Sequence, residues 1–358
     1  SLWQSEFIKG NSENPMEIRS SLYFNMLRNI YRMNWLILYL FGASPIITKS
    51  FIRTNNQSLK QLDSDSQTYY LPYATSLRMS DFGYSNAIRN NLKVSMTSLK
   101  DYVSDLKKAT STPFDDFLEI DAQQQQINAN VLQIDDEYYA IARAKSATIS
   151  NVRTTSKLTH GGVDFIELRS LDLNPYSRIG IDKETLFFLE SLLIYCFITQ
   201  GPKFTDDEIQ EISQNDTIVA EKGRTPNLNL LKHGEKISLK TWGKQSIENL
   251  LPIAALLDCE KKEYTNALQQ MIEKINDTKL TTSGRFLDEI LSRNLNFIDF
   301  GRAIGESNKA HYLNLQSTHN TRWSLLESES IDSHNQQKEL ERNDKKSYKS
   351  FVKDYFQH

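Results

Sequence analysis

Glu167 and Arg169 are the two side chains whose types and spacing most directly suggest chemistry. They lie in Val163-Asp164-Phe165-Ile166-Glu167-Leu168-Arg169-Ser170-Leu171-Asp172, entered from Gly161-Gly162 and left at Leu173-Asn174-Pro175. β-Branched and aromatic residues between Gly and Pro punctuation read as a strand. Alternate side chains of a strand share a face, so Glu167 and Arg169 point one way and Ile166 and Leu168 the other. A carboxylate is a hard oxygen ligand for Mg²⁺. An Arg fork stabilises charge developing on a phosphoryl or tetrahedral centre. Taken alone, the stretch fits more readily a structural Glu–Arg pair on a solvated sheet face.

Other candidate groups fall nearby in the chain. The segment from Tyr69 to Tyr84 is punctuated by Pro72 and Gly83 and holds Tyr69, Tyr70, Tyr73, Tyr84 and Arg78. Tyr hydroxyls and an Arg fork are good donors to a carboxylate, which suits a binding loop. The alternative is that the rings pack beneath the loop. Gln126-Ile127-Asn128-Ala129-Asn130-Val131 alternates polar and apolar residues, the pattern of a half-buried strand. Tyr138 to Arg143 reads as its hairpin partner. With residues 163 to 172, at least three sheet strands are expected, showing the polar rows Asn128 and Asn130, Tyr139 and Arg143, Glu167 and Arg169. His160 reads as a loop residue and not a catalyst. No HExxH, Walker loop, GxGxxG or GxSxG pattern occurs, so a nucleotide would need carboxylate-held metal ions in place of a phosphate loop.

The elements that must position these groups are mostly helical. Asn14-Pro15 opens a helix over residues 15 to 41 with Ile18, Leu22, Met26, Ile30, Met33 and Ile37 at helical spacing. Its end, Trp35 to Phe41, is apolar all round and far too short to span a bilayer; Gly42 and Pro45 stop it. Arg28 and Arg32 share one face and read as structural. Residues 97 to 109 form an amphipathic helix with Leu99, Tyr102, Val103 and Leu106 as its stripe, and Thr112-Pro113 opens a short one. Asp182 caps a buried helix containing Leu186 to Ile198, ended by Gly201-Pro202. A polar helix over Asp206 to Ser213 and a loop at Glu221 to Pro226 come next. Further helices are expected over Lys244–Cys259, Lys261–Ile275, Gly284–Arg293 and beyond Ala303. From Glu329 on, the chain is charged and reads as a solvated helix with a small apolar patch at Phe351, Val352, Tyr355 and Phe356.

The 358 residues carry a net charge of −3, which gives no basic excess for nucleic acid. Cys196 and Cys259 lie in apolar helical runs and read as buried thiols in a reducing, cytoplasmic setting. No signal peptide precedes the first helix. The chain opens on Ser1, which reads as a fragment or a processed piece.

Four motifs together resemble the proteobacterial glutamate–cysteine ligases. They are Tyr31-Arg32 through Trp35 to Tyr39-Leu40-Phe41-Gly42-Ala43-Ser44-Pro45; Tyr70-Leu71-Pro72-Tyr73-Ala74-Thr75-Ser76-Leu77-Arg78 with Ser80-Asp81 and Gly83-Tyr84; Gln126-Ile127-Asn128 with Asn130 to Ile134; and Ile166-Glu167 with Arg169 to Asp172 and Asn174-Pro175. Their order is the family's, and the resemblance runs from Trp3 to about Ile290, over the later two thirds of the family's chain.

The resemblance implies an α+β fold whose antiparallel sheet forms a funnel-like, glutamine-synthetase-like active site flanked by helices, with a helical C-terminal part. Residues 1–180 would be a partial sheet domain with the long buried helix, 181–328 a helical part packed on it, and 329–358 a charged helix or tail. It implies ligation of the γ-carboxylate of L-glutamate to L-cysteine through an acyl phosphate made from ATP, the first step of glutathione synthesis. By motif, Glu167 matches a Mg²⁺ ligand and Arg169 the arginine that steadies the phosphoryl and tetrahedral centres. Arg78 matches a contact to substrate glutamate, and Tyr84 and Tyr139 line the cysteine pocket. Asn128 lies on the matching strand without an assigned role. No nucleic acid or membrane partner is implied, and the full-length form is expected to be a monomer. The family's other metal-binding carboxylates belong to a leading segment before Ser1, so this chain alone is expected to be inactive. Another carboxylate–amine ligase on the same fold, or a non-catalytic module derived from one, are the other readings.

Overall fold

A 27-residue helix, α1 (Pro15–Phe41), is the spine of the computed structural model. The structure describes residues 14–52, 58–62, 67–83, 92–115, 117–118, 126–147, 152–295, 297–318 and 320–357. Asn14 caps α1, its side chain accepting from the Met16 N–H at 3.1 Å, with Pro15 in the first turn where a missing N–H costs nothing. Asn34 through Phe41 are all buried. Gly42 ends the helix where no side chain fits: a Cβ there would lie 2.5 Å from the Leu38 carbonyl oxygen and 2.6 Å from that of Thr75. The 70s loop therefore approaches the helix end backbone to backbone.

Two helices close over α1, namely α4 (Lys183–Ile198) and α5 (Asp206–Lys222). Asp182 caps α4 as its position in the sequence suggested, accepting from the Thr185 N–H at 2.8 Å. Helix α5 runs on through Glu221, so the expected loop begins only at Gly223. Before them come α2 (Leu99–Ala109), which buries Tyr102, Val103 and Leu106, and α3 (Thr154–Gly161). His160 lies in the last turn of α3, not in a loop, its Nδ1 2.8 Å from the Ser156 carbonyl oxygen.

Three small antiparallel sheets occur among the described residues. The first has the order β1-β3-β2, from β1 (Ile46–Thr48), β2 (Lys60–Gln61) and β3 (Thr68–Tyr70). The second pairs β4 (Ala142–Lys145) with β5 (Phe165–Leu168) in the register Ala142↔Leu168, Arg143↔Glu167, Ala144↔Ile166. The fold is thus mixed α+β, mostly helical. Gln126–Val131 is not a strand. Asn128 donates to the Gln133 carbonyl at 3.0 Å and accepts from the Asn130 N–H at 3.0 Å, so side chains satisfy the backbone locally and only a lone bridge, Pro113↔Asn130, remains. The hairpin partner expected at Tyr138 to Arg143 lies a few residues later, as β4, and pairs with β5.

The third sheet is a hairpin of β6 (Asn229–Lys232) and β7 (Glu235–Ser238). Its two turn residues, His233 and Gly234, have φ of 54° and 81°, the twist that a two-residue hairpin turn needs. Helices α6 (Leu239–Glu248), α7 (Leu251–Leu257), α8 (Glu263–Asn276) and α9 (Thr282–Ser292) follow. One helix was expected over Lys244–Cys259; Pro252 instead starts α7 afresh. Cys196 is buried as expected, but Cys259 is exposed, because α7 stops at Leu257 and Asp258 turns the chain to cap α8.

Contacts divide the chain into residues 1–293 and 294–358. The second unit consists of α10 (Phe297–Thr318), α11 (Asn320–Asn343) and α12 (Tyr348–Gln357), with Phe351, Tyr355 and Phe356 clustering their rings on α12. No helix among the described residues is long and apolar enough to cross a membrane.

Candidate active site

Arg78 sits in a short 3-10 turn, Leu77–Met79, just after the loop that abuts Gly42. Its guanidinium is almost fully engaged. Nε donates to Asp172 Oδ1 at 2.6 Å and Nη1 to the Tyr139 hydroxyl at 2.7 Å. Nη2 donates to the Ser170 and Leu171 carbonyls, both at 2.9 Å, and lies 3.3 Å from that of Arg169. Five N–H groups are available on the fork, so one hydrogen of Nη1 is what remains to direct at a ligand.

Asp172 is the partner that holds this arrangement. Its side chain is only 4% exposed. Besides Arg78, it accepts at Oδ2 from the Ala43 N–H at 2.8 Å and the Ser44 hydroxyl at 2.7 Å. One carboxylate thus ties the end of α1, the Arg78 turn and the chain leaving β5 together. Sequence reasoning quoted Asp172 within a motif and gave it no role. The only available signal was an acid two residues before Asn174-Pro175, at the end of the run that also holds Glu167 and Arg169.

Arg169 joins the cluster through an aromatic ring: its Cζ lies 5.3 Å from the centroid of Tyr139, the ring whose hydroxyl receives Arg78. Cation–π contact holds a guanidinium in place without consuming its N–H groups. Arg169, Arg78 and Tyr139 are therefore brought together, in keeping with one anion-binding wall.

Glu167 belongs to an adjoining polar set on β4 and β5. It faces Arg143 in register, with Oε2 3.7 Å from Arg143 Nε and 3.8 Å from Lys145 Nζ. Lys145 also donates to Asp136 at 3.2 Å. Burial raises the Asp136 carboxyl, but its hydrogen bond and charge attraction to Lys145, with help from Thr154 and Arg143, outweigh this and hold it below the usual carboxylate range. Glu167 Oε2 and Arg143 Nε are both buried without a hydrogen-bond partner. A buried oxygen left so is chemically suited to act as one donor to a hard cation. One donor is not a Mg²⁺ site: no group of three or more His, Cys, Asp or Glu converges among the described residues. The described residues therefore do not by themselves fit the expected metal.

Asn128 is not part of this wall. Asn128 has both ends of its amide committed within its own loop. Tyr84 lies outside the described residues. The arginines on α1 are structural: Arg28 donates to the carbonyls of Gly201 and Met96, and Arg32 makes a two-pronged pair with Glu208 at 2.6 and 3.0 Å.

Comparison with known proteins identifies the family of the chain. The glutamate–cysteine ligase family profile matches residues 1–219. A glutamate–cysteine ligase of Pseudomonas fluorescens strain Pf-5 is 35% identical over 345 residues, covering 95% of this chain and 64% of the relative. One from Aliivibrio fischeri strain MJ11 is 37% identical over 365 residues, covering 99% of this chain and 69% of the relative. The crystal structure of the Francisella tularensis glutamate–cysteine ligase in complex with AMP superposes with a TM-score of 0.86 at 31% identity, covering 99% of this chain and 70% of that one. The chain thus spans under two thirds of the length of the Pseudomonas relative.

Proposed function

Because the chain belongs to the glutamate–cysteine ligase family, we propose that it carries the anion-binding wall of an ATP-dependent ligase that joins the γ-carboxylate of L-glutamate to the amine of L-cysteine. In that reaction the γ-carboxylate oxygen attacks the terminal phosphorus of ATP and ADP leaves. The cysteine amine then attacks the acyl carbon of the γ-glutamyl phosphate, and inorganic phosphate departs with the nitrogen's proton lost to solvent or a base. Both steps concentrate negative charge on oxygens, and fixed guanidinium groups offset it.

The observation that carries this reading is the Arg78–Tyr139–Arg169 cluster held by Asp172. Arg169 is the group for the transferred phosphoryl and the tetrahedral centre, because its N–H edge is left uncommitted by the Tyr139 contact. Arg78 offers a single remaining hydrogen to a substrate carboxylate and otherwise fixes the Tyr139 hydroxyl. Glu167 would supply at most one oxygen donor to a Mg²⁺ shell whose other ligands the described residues do not provide. Tyr84 with Tyr139 would bound the cysteine side of the pocket. A nucleotide is bound by the Francisella relative, as AMP, and ATP is the matching co-substrate here.

The test is ADP release that depends on both amino acids. Arg169→Lys keeps the charge and loses the planar fork, so a drop of about 10²-fold in turnover is expected where the chain is active. Retained turnover in that variant would remove Arg169 from the chemistry. With no group of three or more acidic, His or Cys side chains converging among the described residues, the 358-residue chain is expected to release far less ADP than the longer Aliivibrio relative under the same conditions. Matching rates would refute that.

A further inference from the structure

Helix α10 carries an exposed face with an alternating row of charges beside it. Ile298, Gly301, Gly305 and Tyr312 recur at i, i+3, i+7 and i+14, which keeps them on one side of the helix. Ile298 is 59% exposed and Tyr312 38%, and Leu313, on the neighbouring row, is 56% exposed. The opposite side is the inward one: Phe300 is buried, and Phe297, Ile304 and Leu315 are half-buried.

The charged row is Asp299, Arg302, Glu306 and Lys309, continued by Leu313, again at helical spacing. Its signs alternate, and their order is self-complementary. Asp299 and Lys309 stand five positions either side of Ile304, and Arg302 and Glu306 two positions either side. An antiparallel copy of the helix, turned about a two-fold axis near Ile304, therefore meets Asp299 with Lys309 and Arg302 with Glu306, each pair occurring twice. A parallel copy in register would set every charge against itself. Arg302 already pairs with Asp299 of its own helix at 2.9 Å, which holds its guanidinium along this row. The glycines fit the same picture. Glycine is a poor residue for a helix interior. At Gly42 or Gly284 a Cβ would strike backbone, whereas at Gly301 and Gly305 it would meet nothing within 4 Å beyond the helix itself. Neither has a positive φ, so no turn requires them.

We propose that α10 is a self-association surface, on which two copies of the chain pack their Ile298, Gly301, Gly305 and Tyr312 faces antiparallel, with Arg302–Glu306 and Asp299–Lys309 pairs between copies. The bare middle of the face lets the two backbones approach closely, and the apolar groups at its ends close over the contact. The charge order selects a second copy of this helix, because a two-fold interface uses the same patch on both partners. A helix of 22 residues is about 33 Å long, so the contact belongs to the small, weak class of interfaces and dimerisation is expected at micromolar concentrations. This departs from the monomer that the family resemblance implies for the full-length form. It stands apart from the ligase reading, and its test needs no ligase activity.

The experiment is sedimentation velocity of the full chain over roughly 1–300 μM at low salt, with a melting curve for each variant. A reversible monomer–dimer equilibrium is expected. Gly305→Leu puts a bulky side chain where a single chain has open space, so it should keep the fold and weaken the dimer at least about tenfold. Arg302→Glu sets like charges together twice and should also weaken it about tenfold. Adding Glu306→Arg to that variant restores the opposite pairing and should return the affinity to within about threefold of the parent. This charge swap is the decisive variant, because both changes are on exposed positions and a surface elsewhere on the molecule would not respond to it. Absence of dimer at the highest concentration, a dimer indifferent to Gly305→Leu, or a swap no tighter than the single reversal would each overturn the assignment.

Discussion

Replacing Asp216 by Asn should stabilise the chain at neutral and alkaline pH and leave it nearly unchanged in acid. Burial pushes the Asp216 carboxyl up from its ordinary 3.8 to about 7, against the lowering effect of the Asn34 hydrogen bond. The unfolded chain restores the ordinary value, so between these pH values the folded state binds the extra proton. Stability linked to Asp216 is therefore full below about pH 4 and is lost as pH rises towards 7. A shift of about three units at 1.36 kcal/mol each sets an upper bound near 4 kcal/mol. Asp216 is half-buried as a residue, so about 2 kcal/mol is the figure to expect after screening. An Asn amide removes the charge, keeps an acceptor for the Asn34 N–H and supplies a donor where Asn34 Oδ1 has none. The assay is urea unfolding of both proteins at about pH 5 and about pH 8.5, with the difference between them as the readout, because other titrating groups cancel in it. A variant less stable than the parent at the higher pH, or a difference that does not change with pH, would refute the argument.

Other perturbations probe separate parts of the molecule. Asp172→Asn breaks a nearly buried ion pair and leaves Arg78 Nε facing an amide, so it should cost about 2–4 kcal/mol in urea unfolding; a loss under 1 kcal/mol would show that the wall does not depend on it. Gly42→Ala forces a methyl group to within 2.6 Å of two carbonyl oxygens, Leu38 and Thr75, and should cost at least about 1–3 kcal/mol; a neutral outcome would mean the 70s loop can withdraw from the end of α1. A thiol reagent applied to the folded chain at neutral pH should modify Cys259 and spare Cys196, whose thiol burial pushes up to about 12; intact mass should show one adduct, and two would contradict the burial of α4.

Much of the helical frame was legible in the sequence, because caps and periodic apolar positions act locally. Asn14-Pro15 and Asp182 mark helix starts that the structure reproduces. The β5 strand was legible within the run 163–172, but it spans only Phe165–Leu168 and leaves Arg169 just beyond its end. Where the reading failed, polar side chains had replaced the expected backbone pairing. The alternation of Gln126–Val131 reflects amides that bond their own loop, which mimics strand period without a partner strand. The β6–β7 hairpin was missed although His233-Gly234, flanked by Leu230 and Ile237, carries its signal; the surrounding helical patterns hid so short an element. Cys259 looked buried because an apolar run continues up to it, and only Asp258, bonding to Tyr264 and Thr265, ends that run. At the candidate site, motif resemblance located Arg78, Tyr139 and Arg169. It could not show how many of the Arg78 hydrogens are spent internally, since that depends on carbonyls ninety residues away in sequence.

That one carboxylate receives bonds from positions 43, 44 and 78 has a consequence for the order of assembly. Asp172 follows Ser44 by 128 residues, so a nascent chain carries Arg78 long before its anchor has been synthesised. Contacts of such separation form late, after a large loop has closed. Competence of the wall would then appear only with the docking of β5, making the spectroscopic or ligand-binding signature of Tyr139 a timer for the last stage of folding of this unit.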